Sequence, residues 1–206
     1  MLVNDKTEAF FEWERRLHSA SEAGNTEWLW LWELEHRTVV AGRSTNIEAD
    51  VNTTACQSDG VPVLRRDSGG GAVLLGTGCL NYTLILNLER RPELRAVEDS
   101  HRLILDAVGQ ATGVGAVTRI DTDLTIGGKK FGGSSQRRCR RTVLQHGTIL
   151  YAFELSAIGR YLREPARRPR YRQERTHGEF VTNIPLDRGE FAARLRASFP
   201  EAELIS

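Results

Sequence analysis

Cysteine is scarce in this chain of 206 residues, and its three instances, Cys56, Cys79 and Cys139, form neither a CxxC pair nor an even-numbered framework. That argues against a disulfide scaffold and against a zinc site. An excess of charge of one sign is also missing. With 28 basic against 27 acidic residues the net charge is +1, so global electrostatics favour neither wrapped nucleic acid nor a membrane surface, and local clusters must carry any such role. No apolar run approaches the roughly 18 residues of a membrane span, and Met1-Leu2-Val3-Asn4-Asp5-Lys6 lacks a secretory pattern, so a cytoplasmic protein is expected. No charged or Gly/Ser-rich linker divides the chain, and no internal repeat is seen. With 40% hydrophobic residues, the expectation is one domain over residues 1–206.

Phe10, Phe11, Trp13 and Leu17 among charges predict a helix over residues 5–19, capped by Asn4 or Asp5. Trp28, Trp30 and Trp32 alternate and share one face of a strand, and Val39-Val40-Ala41 is expected to continue a hairpin from it. Val61–Leu64 reads as a strand entering a glycine loop and Leu80–Leu86 as the strand leaving it. A helix is expected over 93–111, stopped by Gly113, with Val97, Ile104, Leu105 and Val108 as its apolar stripe. Short strands follow at 115–119, 123–126 and 143–153, and helical patterns at 155–162 and 189–199. Strands and helices without regular βαβ alternation indicate an α+β, mixed α/β architecture.

What is abundant is glycine in two places. Arg65-Arg66-Asp67-Ser68-Gly69-Gly70-Gly71-Ala72-Val73 sets three glycines between an arginine pair and an apolar run. Consecutive glycines indicate backbone lying close against a ligand, and bare N–H groups beside arginines suit a phosphate or carboxylate. A glycine bulge in a hairpin is the plainer alternative. Gly127-Gly128-Lys129-Lys130-Phe131-Gly132-Gly133-Ser134-Ser135-Gln136 places two lysines between glycine pairs, again inviting an anion, with a solvated turn as the plain alternative. Neither segment is a Walker A loop or a GxGxxG fingerprint.

Taken with Val39-Val40-Ala41-Gly42-Arg43-Ser44, Gly78-Cys79-Leu80-Asn81-Tyr82 and Gln145-His146-Gly147-Thr148, these segments occur in the order found in the biotin/lipoate protein ligase superfamily. From about Trp30 to Asn183 the chain resembles its lipoate-protein ligase A branch. The resemblance implies a class II synthetase-like domain, with a central mixed sheet flanked by helices. It implies an ATP-dependent ligase that forms lipoyl-AMP from lipoate with Mg²⁺ and transfers the lipoyl group to an acceptor lysine. Lys130 then matches the catalytic lysine, an ammonium that offsets repulsion between two anions. Ser68, Gly69, Gly70, Gly71 and Ala72 match the loop that closes around the acyl tail and adenylate, with Arg66 beside the carboxylate or phosphate. Asp123 matches a position for adenylate recognition or metal binding. Asn81, Lys129, Gly133, His146 and Thr148 complete the implied substrate and adenylate contacts, although His146 is equally a buried structural histidine. A lipoyl-domain or glycine-cleavage H-type protein is the implied acceptor.

Two departures stand out. Leu75 holds a place taken by histidine in many relatives. The chain also ends at Ser206, where several ligases of this branch append an accessory domain, so the expectation is a catalytic core without one, served if necessary by a separate accessory chain. Two alternatives accompany the ligase: an octanoyl- or lipoyl-transferase working through a cysteine thioester without ATP, and a non-catalytic lipoyl-adenylate-binding subunit. Residues 80–138 and 140–206 hold no cysteine, which favours the ligase. Cys79, expected at the mouth of the glycine loop, keeps the transferase open. The intact Lys130 element argues against a non-catalytic role. Arg137–Arg141 and the series Arg160, Arg163, Arg167, Arg168, Arg170, Arg172 and Arg175 could dock an acidic acceptor surface or remain solvated charge. They lack the interleaved aromatics of an RNA platform, Tyr171 excepted.

Overall fold

The computed structural model describes residues 5–165 and 168–205. Asn4, the alternative cap, and Arg167 lie outside them. The elements run α1 (Asp5–Gly24), β1 (Trp28–Trp32), β2 (Thr38–Ala41), α2 (Ile47–Asp50), α3 (Thr53–Ser58), β3 (Val63–Arg65), β4 (Val73–Leu75), β5 (Cys79–Asn87) and α4 (Val97–Ala111). They continue with β6 (Thr118–Ile120), β7 (Asp123–Ile126), β8 (Lys129–Arg138), β9 (Thr142–Leu150), α5 (Ile158–Tyr161), α6 (His177–Phe180), α7 (Arg188–Ser198) and β10 (Glu203–Ile205).

Seven strands form one mixed sheet in the order β10-β1-β5-β9-β8-β7-β6, and three form a smaller one in the order β3-β2-β4. All nine residues of β5 are buried, as a central strand covered on both faces requires. On one face, Leu80, Tyr82, Leu84 and Leu86 pack with Ile104, Leu105 and Val108 of α4 and Phe191 and Leu195 of α7. The other face meets α1 and the small sheet. There Trp30, Trp32, Val39, Leu74 and Phe11 pack together, with Phe10 stacked on Trp30 at 5.2 Å between centroids. Each fully buried Leu or Ile contributes about 1.5–3 kcal/mol. A one-residue slip of β5 would turn its leucines to the polar face and Asn81 and Thr83 into the apolar core, so its register is strongly fixed.

Three sequence expectations change. β2 does not extend a hairpin from β1: it leaves for the small sheet, pairing parallel with β3 and antiparallel with β4. The glycine loop therefore joins β3 to β4, and β5 begins only after a further turn. Val97, expected on the apolar stripe of α4, is exposed at the first position of the helix. Gly113 does stop that helix, with φ +71°. No described helix is long and apolar enough to cross a membrane.

Candidate active site

Strand register lines up two rows of side chains across the face of the large sheet that meets α1. Trp32, Asn81, Thr148, Gly133 and Asp123 are successive cross-strand partners from β1 to β7. Trp30, Thr83, His146 and Ser135 form the next row. Directly opposed residues share a face, so motifs distant in the chain meet here.

Over the second row sits the glycine loop, held by its carbonyls. The Ser68 carbonyl accepts from Arg43 N at 2.9 Å and that of Gly71 from Gly42 N at 3.2 Å. Gly70 O accepts from Thr45 Oγ1 at 2.9 Å and Gly69 O from Ser135 Oγ at 2.8 Å. Arg66, expected to face the ligand, is instead buried beneath the loop. Its Nη2 donates to Gly69 O at 2.6 Å and Gly71 O at 3.0 Å, its Nη1 to Val40 O at 3.1 Å and its Nε to Ser68 Oγ at 3.0 Å. Burial pushes its pKa down to about 10 against the opposing pull of Glu14, which still leaves it charged at neutral pH. Arg65 clamps the neighbouring segment through the carbonyls of Gly42, Arg43 and Thr45. With the carbonyls so occupied, the N–H groups of Gly69, Gly70 and Gly71 meet no acceptor among the described residues. Consecutive free amides of this kind form an anion cradle.

Lys130 reaches the same face through a bulge. Thr125 pairs with Lys130 and Leu124 with Gly132, leaving Phe131 as the extra residue. Phe131 drops into the α4 core with no exposure, and the strand re-aims Lys130 toward the first row. Its Nζ lies 2.7 Å from Asp123 Oδ1. A Cβ at Gly133 would fall 2.6 Å from that Nζ, so a bare residue there is what admits the lysine. Tyr171 donates to Asp123 Oδ2 at 2.6 Å, and burial together with the Asp123 charge raises the tyrosine's pKa, keeping the donor protonated. An ammonium has three donors, and Asp123 takes one.

The remaining expected residues are distributed around this core. His146 and Ser68 are joined at 2.5 Å between Nε2 and Oγ. Asn81 is buried, its Nδ2 donating to the Trp32 and Cys79 carbonyls. Thr148 and Ala72 are half-buried, and Lys129 points outward at the hairpin end. Leu75, at the family's histidine position, is a core residue. Sequence reasoning missed Glu14, Trp32, Ser135 and Thr45, and it noted Tyr171 only as an aromatic. Glu14 had a visible signal: it falls on the buried stripe of α1 with Phe11, Leu17, His18 and Ser21, where an unpaired acid would be costly.

Cys79 is not at the loop mouth. It opens β5 opposite Leu150 with 0% exposure, and burial drives its pKa far up, so it remains a thiol. Cys139 is exposed in the β8–β9 turn, in a surface cleft of about 470 Å³ lined by Leu88, Glu89, Arg95 and Arg138–Arg141. Several of the chain's other arginines are paired internally: Arg160 with Asp59, Arg168 with Glu174 and Arg172 with Glu164. No group of three His, Cys, Asp or Glu side chains suited to a metal occurs among the described residues. Asp123, whose two oxygens already engage Lys130 and Tyr171, is a lone carboxylate and does not form a protein-caged metal site.

The large mixed sheet flanked by helices is the fold of lipoate-protein ligases. The chain belongs to the lipoyl protein ligase A/B catalytic domain family, which matches residues 7–196. It is similar to a probable lipoate-protein ligase A of Mycoplasma pneumoniae, 33% identical over 134 residues that make up 65% of this chain and 39% of that protein. This chain thus spans about two-fifths of that relative's length. Among solved structures it is similar to a bi-partite lipoate protein ligase of Thermoplasma acidophilum, with TM-score 0.72, 21% identity, and coverage of 89% of this chain and 76% of that one. A lipoate-protein ligase A bound with ATP gives TM-score 0.71 at 20% identity, covering 89% and 78%.

Proposed function

We propose that this chain is the catalytic domain of an ATP-dependent lipoate-protein ligase. The observation that carries the reading is the arrangement on β8. The glycine loop rests on Ser135 and the Lys130 ammonium lies over Gly133, two residues apart on the same side of one strand, or roughly 7 Å. An acyl carboxylate and the α-phosphate of ATP both fit between free amides and a cation. In the first step a lipoate oxygen attacks the α-phosphorus and the bond to pyrophosphate breaks. In the second an acceptor lysine amine attacks the acyl carbonyl, AMP departs and the amine releases a proton. Lys130 offsets the repulsion between the two anions as they meet and holds the mixed anhydride in place. Asp123 and Tyr171 keep its ammonium over the row. Magnesium bound to the nucleotide would screen the outer phosphates. The proposed partners are a lipoyl-domain or glycine-cleavage H-type acceptor and, where one is needed, a separate accessory chain.

Pyrophosphate release by the isolated chain, with ATP and either lipoate or octanoate, tests this reading and reports which acid is used. Lys130→Ala is expected to lower the rate by roughly 10²-fold or more. A variant as fast as wild type removes the lysine from the reaction.

A further inference from the structure

Beneath the glycine loop runs a buried chain of hydrogen bonds whose direction is dictated at both ends. The Trp32 Nε1 donor meets Thr83 Oγ1 at 3.3 Å, so the hydroxyl hydrogen of Thr83 goes to Glu14 Oε1, 3.0 Å away. The same carboxylate oxygen lies 2.8 Å from His146 Nδ1. At the far end Arg66 Nε can only donate, so Ser68 Oγ accepts it at 3.0 Å. The hydrogen of Ser68, which is 2% exposed, then goes to His146 Nε2 at 2.5 Å. This pattern is satisfied throughout only when His146 carries its proton on Nδ1 and none on Nε2.

We propose that Glu14 and His146 are positioning residues that give this chain its direction, and that they act on the glycine loop through Ser68 and Arg66. Glu14 accepts from Nδ1 and so selects the tautomer that leaves Nε2 free to receive Ser68. With its hydrogen withdrawn, Ser68 offers lone pairs to Arg66 Nε, which fixes the guanidinium plane. The fixed guanidinium holds the carbonyls of Gly69 and Gly71, and the amides between them are left facing a ligand. In the opposite tautomer Ser68 Oγ receives two donors and its own hydrogen has no acceptor, a cost that a buried site resolves by moving. The proposal rests on the ligase reading for what the loop binds, but not for the direction of the chain.

Glu14→Gln and Glu14→Met separate the acceptor from the charge. Glutamine keeps a carbonyl oxygen for Nδ1 but removes the countercharge of Arg66. Methionine fills the volume without an acceptor. The expected results are ¹⁵N resonances showing Nδ1–H and a bare Nε2 in wild type and Glu14→Gln, and Nε2–H appearing in Glu14→Met. The Gly69–Gly71 amide resonances should shift in Glu14→Met, with KM for the acid rising about tenfold, while Glu14→Gln retains the wild-type loop spectrum at a lower melting temperature. Should Glu14→Met not fold, Ser68→Ala breaks the chain one link later and must shift the same amides. A proton on Nε2 in wild type, as neutral tautomer or imidazolium, overturns the proposal. So does a loop spectrum that neither Glu14→Met nor Ser68→Ala alters. A wild-type chain that shows the tautomer but binds neither ATP nor lipoate would instead defeat the ligase reading alone.

Discussion

At the scale of single residues, the glycines work mainly by letting backbone touch backbone. A Cβ on Gly42 would stand 2.0 Å from the Gly70 carbonyl oxygen, well inside any contact distance, and Gly70 itself has φ +85°. Gly42→Ala is expected to push the Gly42–Thr45 segment off the loop, slowing adenylate formation at least about tenfold and destabilising the fold by about 1–3 kcal/mol. Wild-type kinetics in that variant would show that the close approach does not matter for the loop. The glycine triplet is legible in the sequence as bare backbone, and its N–H groups meet no acceptor among the described residues. The role of its arginines was not. Adjacent residues leaving a strand point to opposite sides, so Arg65 and Arg66 serve two different segments, and which carbonyls lie within reach depends on pairing between β2, β3 and β4. Ser68 and His146 stand out separately in the sequence, but not as links in one hydrogen-bonded series, because Glu14 arrives from a helix far away in sequence.

At the scale of elements, α1 contributes polar groups from its buried side as well as packing. His18 lies 3.0 Å from Thr142 Oγ1, and burial, reinforced by Arg137, lowers its pKa below the ordinary 6.5. Burial alone would raise the pKa of Glu14, but His146 and Thr83 outweigh it and the net shift is below 4.5. Both groups therefore bind protons more readily in the unfolded chain, and both make stability fall with acidification. The melting temperature, followed by circular dichroism, is expected to decline as pH drops below about 6.5 and to fall faster below about 4.5. His18→Gln should flatten the first limb, and a wild-type profile flat between these values would contradict the assignment. The bounds of β7 match those expected from the sequence, and α4 is legible to within a few residues because its apolar spacing is regular, whereas α7 shows only a weak pattern with Phe191 and Leu195 as its buried pair. β4 is hidden in the loop segment because three residues give no periodicity, and β10 gives no signal for the same reason. The bulge at Phe131 is likewise a matter of pairing: its residues look like any others until the partner strand is known.

At the scale of the whole molecule, the order of the motifs revealed the family before any pairing was known, whereas the strand order could not be read. Contacts such as β1 with both β5 and β10 join segments far apart in the chain, and local patterns carry no information about them. The same layout separates the cysteines from the chemistry. Cys79 is sealed in the core, and Cys139, just past the end of β8, lies nine residues from Lys130, about 30 Å in an extended strand. On the proposed function, a chain carrying Cys56→Ala, Cys79→Ala and Cys139→Ala is expected to transfer the acyl group with ATP as wild type does, apart from a loss of stability. Loss of transfer in a folded triple variant, together with an acyl-thioester detected by intact mass in wild type, would turn the reading toward the transferase.

The clamps on Ser68, Gly69, Gly70 and Gly71 have a thermodynamic consequence. Because the fold itself supplies partners for these carbonyls, the loop is already organised when a ligand arrives. Little conformational entropy would then be lost on association with the proposed ligand, and more of the interaction energy between amides and anion would be expressed as affinity.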